Sequence, residues 1–223
     1  MIIFENQTFK IESFISGSLE NNSYLLISKT THHTIIIDIP DNPKELINAI
    51  PKNKLDKSKN IDTIKAIITH GHYDHIEGVD FAKKRLGEIN ISIGLEDSKY
   101  LNYSGKITKL KRSKKIINED LELVIIYTPG HTAGSICLYL EIDDKKFLFT
   151  GDTLFPGGPG KTVDSKSFNK IYNSITKNIY TLPNETIIFP GHGKSISIEQ
   201  SKKEFESFNF KSILFGEVTW NQL

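Results

Sequence analysis

Thr69-His70-Gly71-His72-Tyr73-Asp74-His75 is the stretch on which the reading of this chain turns. Three imidazoles and a carboxylate follow directly on Ile64-Lys65-Ala66-Ile67-Ile68, an apolar run that reads as a short buried strand. Imidazole nitrogen and carboxylate oxygen, with no thiolate beside them, suit zinc or iron(II) and not a cysteine-built structural site. In such a loop His70 and His72 can turn toward one ion, while Asp74 and His75, at the next bend, serve another. Gly71 keeps a side chain out of that turn. A solvated polar loop is the bland alternative, but imidazoles this close repel on protonation unless a metal holds them.

The same pattern recurs downstream. Residues 121–127 form a strand ending at Pro129-Gly130-His131, and residues 186–189 lead into Pro190-Gly191-His192-Gly193. Residues 135–142 and 146–150 read as a hairpin through Asp143-Asp144, and its second strand ends at Gly151-Asp152. Apolar strands thus end repeatedly in short turns that carry His or Asp. Strand ends can converge on one sheet edge, which is where open α/β sheets place ligands. Singly, His131, His192 and Asp152 read as turn residues. As a set, His70, His72, Asp74, His75, His131, Asp152 and His192 give three ligands to each of two ions and one to bridge, leaving positions for water and substrate.

The rest of the chain supplies an α/β frame. Strands are expected at residues 8–15, 22–28, 34–39 and 89–93. A helix after Asp41 or Asn42 as cap, with Pro43 at its first position, carries Leu46, Ile47 and Ile50 on one face. Asp74 is expected to cap a helix over 76–86 that Gly87 ends, and 168–180 reads as an amphipathic helix with Ile171, Ile175 and Ile179. Residues 51–60 read as a solvated loop, and 106–115, with five lysines and Arg112, as a solvated hairpin face with a weaker reading as a phosphate-attracting patch. With 223 residues, no linker and no repeat, 1–223 reads as a single domain. The single Cys137 excludes an internal disulfide framework, and no apolar run approaches the ~18 residues of a membrane span. A net charge of +1 argues against a nucleic-acid partner, and an amino terminus without a basic flank or apolar core argues for the cytoplasm.

The order His70-x-His72-x-Asp74-His75, then His131, Asp152 and His192, resembles the metallo-β-lactamase superfamily over nearly the whole chain. The resemblance implies a four-layer αββα sandwich with the metals at one edge of the paired sheets. It implies that His70, His72 and His131 bind the first metal, that Asp74, His75 and His192 bind the second, and that Asp152 bridges. Zinc is the first expectation for the metal, with iron or manganese as alternatives. Asp38, after Ile35-Ile36-Ile37, matches the family's early strand-end aspartate, which acts in the outer shell. True β-lactamases lack the bridging aspartate, and oxygen-reducing diiron relatives carry glutamate where this chain keeps His72. The nearest resemblance, through Thr150-Gly151-Asp152-Thr153-Leu154-Phe155 and Pro190-Gly191-His192-Gly193, is to glyoxalase II-like hydrolases. These imply cleavage of a thioester or related ester, with Asp74 and Asp152 catalytic. About thirty residues follow His192, fewer than the helical region that holds glutathione in a glyoxalase II, so glutathione itself is doubtful as the substrate, and the choice among glutathione, coenzyme A or another carrier stays open.

Gly157-Gly158-Pro159-Gly160-Lys161-Thr162 lacks the first glycine of a phosphate-binding loop, since Phe155 stands there. It reads instead as a loop beside the metals that offers Lys161 to an anionic substrate, or as a solvated glycine turn. Cys137, between Ile136 and Leu138, reads as a buried structural thiol, and His32 and His33 as turn residues. Two alternatives stand beside the hydrolase. One is a mononuclear iron persulfide dioxygenase using His70, His131 and Asp152; the other is a non-enzymatic protein braced by metals.

Overall fold

The β-branched, apolar runs pair into two large sheets, which the computed structural model describes over residues 1–51, 64–111, 114–118 (backbone only), 121–208 and 215–220. They group into two compact units, Met1–Leu110 with Ile117–Leu121, and Lys111–Ile116 with Glu122–Leu223. Of the solvated loop expected at 51–60, only Pro51 falls among the described residues.

In the first unit seven strands pair in chain order: β1 (Ile2–Glu5), β2 (Phe9–Ser16), β3 (Asn21–Ser28), β4 (Thr34–Ile37), β5 (Ile64–Ile68), β6 (Asn90–Gly94) and β7 (Ile107–Leu110). Neighbours are antiparallel up to β4 and parallel from β4 to β7. Parallel neighbours need crossovers, and helices supply them: α1 (Lys44–Ala49) after β4, then α2 (Tyr73–Ile76) and α3 (Val79–Leu86) after β5. Ile36, Ala66, Ile68 and Ile91 of the sheet share one buried cluster with Leu46 and Ile47 of α1 and Val79 and Ala82 of α3. Each large aliphatic side chain buried in this way contributes about 1.5–3 kcal/mol, and the cluster fixes where β5 ends.

Two helix starts differ from the sequence expectation. α1 opens at Lys44 with Pro43 in the cap position, because Asn42 takes a positive φ of 51° and the Asp41 carboxylate accepts the Asn42 N–H instead of capping. Asp74 is not a cap but lies inside α2, and the expected helix is broken at Gly78. There the chain presses on the segment after β4: Gly78 N–H donates to the Ile39 carbonyl, and a Cβ on Gly78 would lie 2.1 Å from the Pro40 carbonyl oxygen. Gly87 ends α3 as expected, at φ 82°.

The second unit contains β8 (Lys114–Asn118), β9 (Leu121–Tyr127), β10 (Ile136–Ile142), β11 (Lys145–Gly151), the small pair β12 (Leu154–Phe155) and β13 (Gly158–Pro159), α4 (Ser165–Ser174), β14 (Ile187–Pro190), β15 (Ile196–Ser197) and α5 (Ile198–Glu206). The large sheet has the order β15-β14-β11-β10-β9-β8. The basic run at 106–115 is therefore not a hairpin, since β7 pairs with β6 in one sheet and β8 belongs to the other; Arg112 and the side chains of Lys114 and Lys115 lie outside the described residues. The hairpin through Asp143-Asp144 forms as expected, closed by the pair Ile142 and Lys145. α4 starts at Ser165 because Asp164 caps it, accepting the Ser167 N–H at 2.6 Å. Its last turn widens into a π-helix over Ile175–Ile179, which keeps Ile171, Ile175 and Ile179 all fully buried. α5, to which the sequence reading assigned nothing, is capped by Ser197.

Candidate functional site

In the first unit the candidate ligand loop grows out of β5 and is ordered by Asp38, the residue that the resemblance placed in the outer shell. Asp38 sits just past β4 at φ 57°, a conformation aspartate tolerates better than most residues. Its carboxylate accepts the Thr69 N–H at 2.7 Å, the Thr69 hydroxyl at 2.8 Å and His75 Nδ1 at 2.9 Å. An ionised carboxylate only accepts, so His75 carries its proton on Nδ1 and presents an electron pair at Nε2. The one Thr69 hydroxyl proton is used on Asp38, so the 3.1 Å contact to His70 Nδ1 has the imidazole donating. His70 likewise presents an electron pair at Nε2.

His72 Nδ1 lies 3.2 Å from His70 Nε2 and can donate to it, whereas His75 Nε2 faces Asp74 Oδ2, another acceptor, at 3.5 Å. Asp74 Oδ2 also accepts the amide of buried Asn21 at 2.8 Å. Gly71 N–H donates to buried Asp97 at 2.8 Å, and a Cβ on Gly71 would stand 2.8 Å from the Tyr100 ring. The sequence reading missed both Asn21 and Asp97, which act on the loop from distant positions. Their only sequence signal is a polar residue beside a strand end.

In the second unit the turns after β9, β11 and β14 carry His131, Asp152 and His192 together. Gly191 N–H donates to the Gly151 carbonyl at 2.9 Å, and the hydroxyls of Thr128 and Thr153 meet at 3.1 Å, so the turns are tied to one another. α4 packs beneath: the Ser174 hydroxyl donates to the Pro129 carbonyl, and a Cβ on Gly130 would stand 2.3 Å from Ile171 Cβ. His131 Nδ1 is 2.8 Å from the Lys161 carbonyl, which can only accept, so its Nε2 carries the electron pair. Asp152 Oδ2 lies 3.5 Å from His131 Nε2 and 3.7 Å from His192 Nε2.

These spacings test the fit to a metal. Ligands around a tetrahedral ion with bonds of about 2.0–2.2 Å stand roughly 3.3–3.6 Å apart. In each unit nitrogen and carboxylate electron pairs face one another at close to that separation, and the donor set is one that zinc, iron or manganese accepts.

Other singled-out residues fall elsewhere. The Lys161 side chain is 67% exposed and its Nζ lies 3.7 Å from Glu217, so the structure gives its carbonyl, not its ammonium, a contact with a candidate ligand. Cys137 is fully buried between Thr128 and the Thr150 carbonyl, and burial pushes its thiol up to about 11, which fits the structural reading. His32 and His33 lie in the turn before β4, where His33 contacts Thr31.

The metallo-β-lactamase superfamily profile matches residues 17–192, a span that includes every candidate ligand. A probable hydroxyacylglutathione hydrolase of Schizosaccharomyces pombe is 33% identical over 218 residues, covering 92% of this chain and 80% of the relative. The hydroxyacylglutathione hydrolase of Pelagibacter ubique is 31% identical over 180 residues, covering 78% of this chain and 66% of the relative, so the chain spans about two thirds of that protein. A solved metallo-β-lactamase from Staphylococcus aureus shares the fold, with a TM-score of 0.73 at 24% identity over 89% of this chain and 62% of its own. No helix among the described residues is long and apolar enough to cross a membrane. With its strand-end turns so placed and its relatives so named, the chain belongs to the metallo-β-lactamase superfamily, as a glyoxalase II-like metal-dependent hydrolase.

Proposed function

We propose that the chain acts as one domain over 1–223, in which the two ligand sets form a single binuclear centre that hydrolyses a thioester or related ester in the cytoplasm. His70, His72 and His131 would hold one divalent ion, Asp74, His75 and His192 the other, and Asp152 both, with zinc the first candidate. The observation that carries this reading is the meeting of electron-pair donors at ligand-like spacing, 3.5 Å between His75 and Asp74 and 3.5 Å between His131 and Asp152. Family membership supports the joining of the two sets.

Ions bound there would supply electrophilic pull on a carbonyl oxygen and lower the pKa of water toward about 7. The chain's own residues orient and move protons. Asp152, with Oδ2 facing two imidazoles, orients the attacking water. Asp74, restrained by Asn21, accepts that water's proton and returns it to the leaving group. A leaving thiolate asks little of that transfer, because thiols ionise near ~8.5. Asp38 keeps His75 in one tautomer throughout. Lys161, exposed on the loop that leaves Asp152, offers charge to an anionic part of the substrate; Glu217 competes for it.

A panel of anionic and neutral thioesters of equal size, run on wild type and Lys161→Ala with oxygen uptake recorded, tests the proposal. Hydrolysis without oxygen uptake is expected, with the variant losing through KM on anionic substrates alone. Oxygen consumption with a persulfide and no thioester cleavage would instead support the mononuclear iron reading. An equal loss on both substrate classes would remove Lys161 from substrate binding.

A further inference from the structure

We infer that the C-terminal segment 216–220 is a positioning strap for His131, and through it for the metal that His131 would hold, an inference that rests on the metal assignment above. The segment ties down both ends of the loop 157–162. At one end Thr162 and Gly216 exchange backbone hydrogen bonds of 3.0 and 2.8 Å. At the other, Trp220 N–H donates to the Gly157 carbonyl at 2.8 Å, and the Val218 carbonyl lies 2.7 Å from where a Gly158 Cβ would stand. The strap is itself anchored, because Trp220 is fully buried with its ring 4.9 Å from Phe205 and 4.8 Å from Phe208.

Between those two ties the loop can only lie where it touches the ligand turns. A Cβ on Gly160 would fall 1.8 Å from the Asp152 carbonyl oxygen and 3.1 Å from His131 Nδ1, so glycine there lets the loop press directly on both. The next residue, Lys161, then delivers its carbonyl to His131 Nδ1 at 2.8 Å. That acceptor fixes the proton on Nδ1 and the electron pair on Nε2, the atom that faces Asp152. The ring is thus oriented by a carbonyl whose position depends on a backbone bridge to a segment more than fifty residues further along the chain. Loosening the bridge lets the carbonyl withdraw and the imidazole sample the other tautomer.

The experiment reads the His131 tautomer by proton–nitrogen correlation NMR on metal-free protein, and zinc affinity by titration. Wild type should show the Nδ1-protonated form alone. Gly216→Pro removes the N–H that bonds the Thr162 carbonyl and cannot adopt the φ of 82° found here. It should populate both tautomers and weaken one zinc by about 10–100-fold while the other binds as before. Gly216→Ala keeps the donor and meets nothing within 4 Å, so it opposes the backbone conformation only; it should shift both readouts the same way, by less, and it serves if the proline variant does not fold. Phe215→Ala, at an exposed neighbour, should leave both unchanged. A folded Gly216→Ala protein with a single His131 tautomer and undiminished zinc affinity would overturn the strap. Wild type that binds no zinc, with a tautomer that still responds to Gly216, would overturn the metal assignment and leave the positioning intact.

Discussion

One carboxylate, Asp38, takes three donors from two residues, and both histidines in its reach owe their tautomers to it. Asparagine has one acceptor oxygen and would point an N–H₂ at a donor, so Asp38→Asn should lose about 1–3 kcal/mol in denaturant unfolding and about 10–100-fold in zinc affinity. Wild-type values in both measurements would remove Asp38 from that role. Cys137 gives a second residue-scale test. Burial raises the folded thiol to about 11, above its unfolded value. The stability this represents is full below the unfolded pKa and is lost as pH rises, because the unfolded chain releases its proton first. Denaturant midpoints should therefore fall between about pH 8.5 and 11, and fall less in Cys137→Ala. Equal pH slopes in the two proteins would show the thiol is not the cause. The candidate ligands were legible at this scale because imidazole and carboxylate types announce their chemistry. The contact of the Lys161 carbonyl with His131 was not, since a backbone oxygen carries no signature in sequence.

Among the elements, strands that end in ligand-bearing turns were readable because β5, β9, β11 and β14 are dense apolar runs with abrupt ends. Helix boundaries were less so. The break at Gly78 comes from the Pro40 carbonyl pressing on it, and Asp74, inside α2 and not at its cap, is held by Asn21. Both are tertiary contacts, which no local preference encodes. The glycines of the loop 157–162 divide by the same logic. Gly160→Ala should displace the loop, because its Cβ would overlap the Asp152 carbonyl; a loss of roughly 1–3 kcal/mol is expected, together with weaker zinc binding. Gly157→Ala meets nothing within 4 Å and opposes only a φ of 87°, so it should weaken zinc binding less than Gly160→Ala does. Zinc titration and thermal melts of the two variants check the contrast, and equal effects would contradict it.

At the scale of the whole molecule, each unit holds its own part of the candidate ligand set: His70, His72, Asp74 and His75 in one, His131, Asp152 and His192 in the other. The sequence order of the motifs was enough to read the family, because the spacing of strand ends along the chain survives where individual helices shift. It could not show the C-terminal segment bridging to Thr162, which depends on a single pair of backbone hydrogen bonds far apart in sequence. The central claim is that these two sets make one site for two ions. Anomalous scattering from crystals of the zinc-saturated protein measures it most directly. The account predicts two ions per chain, one on His70, His72 and His131, the other on Asp74, His75 and His192, with Asp152 touching both. A single ion, with His75 and His192 turned away from it, would contradict the account.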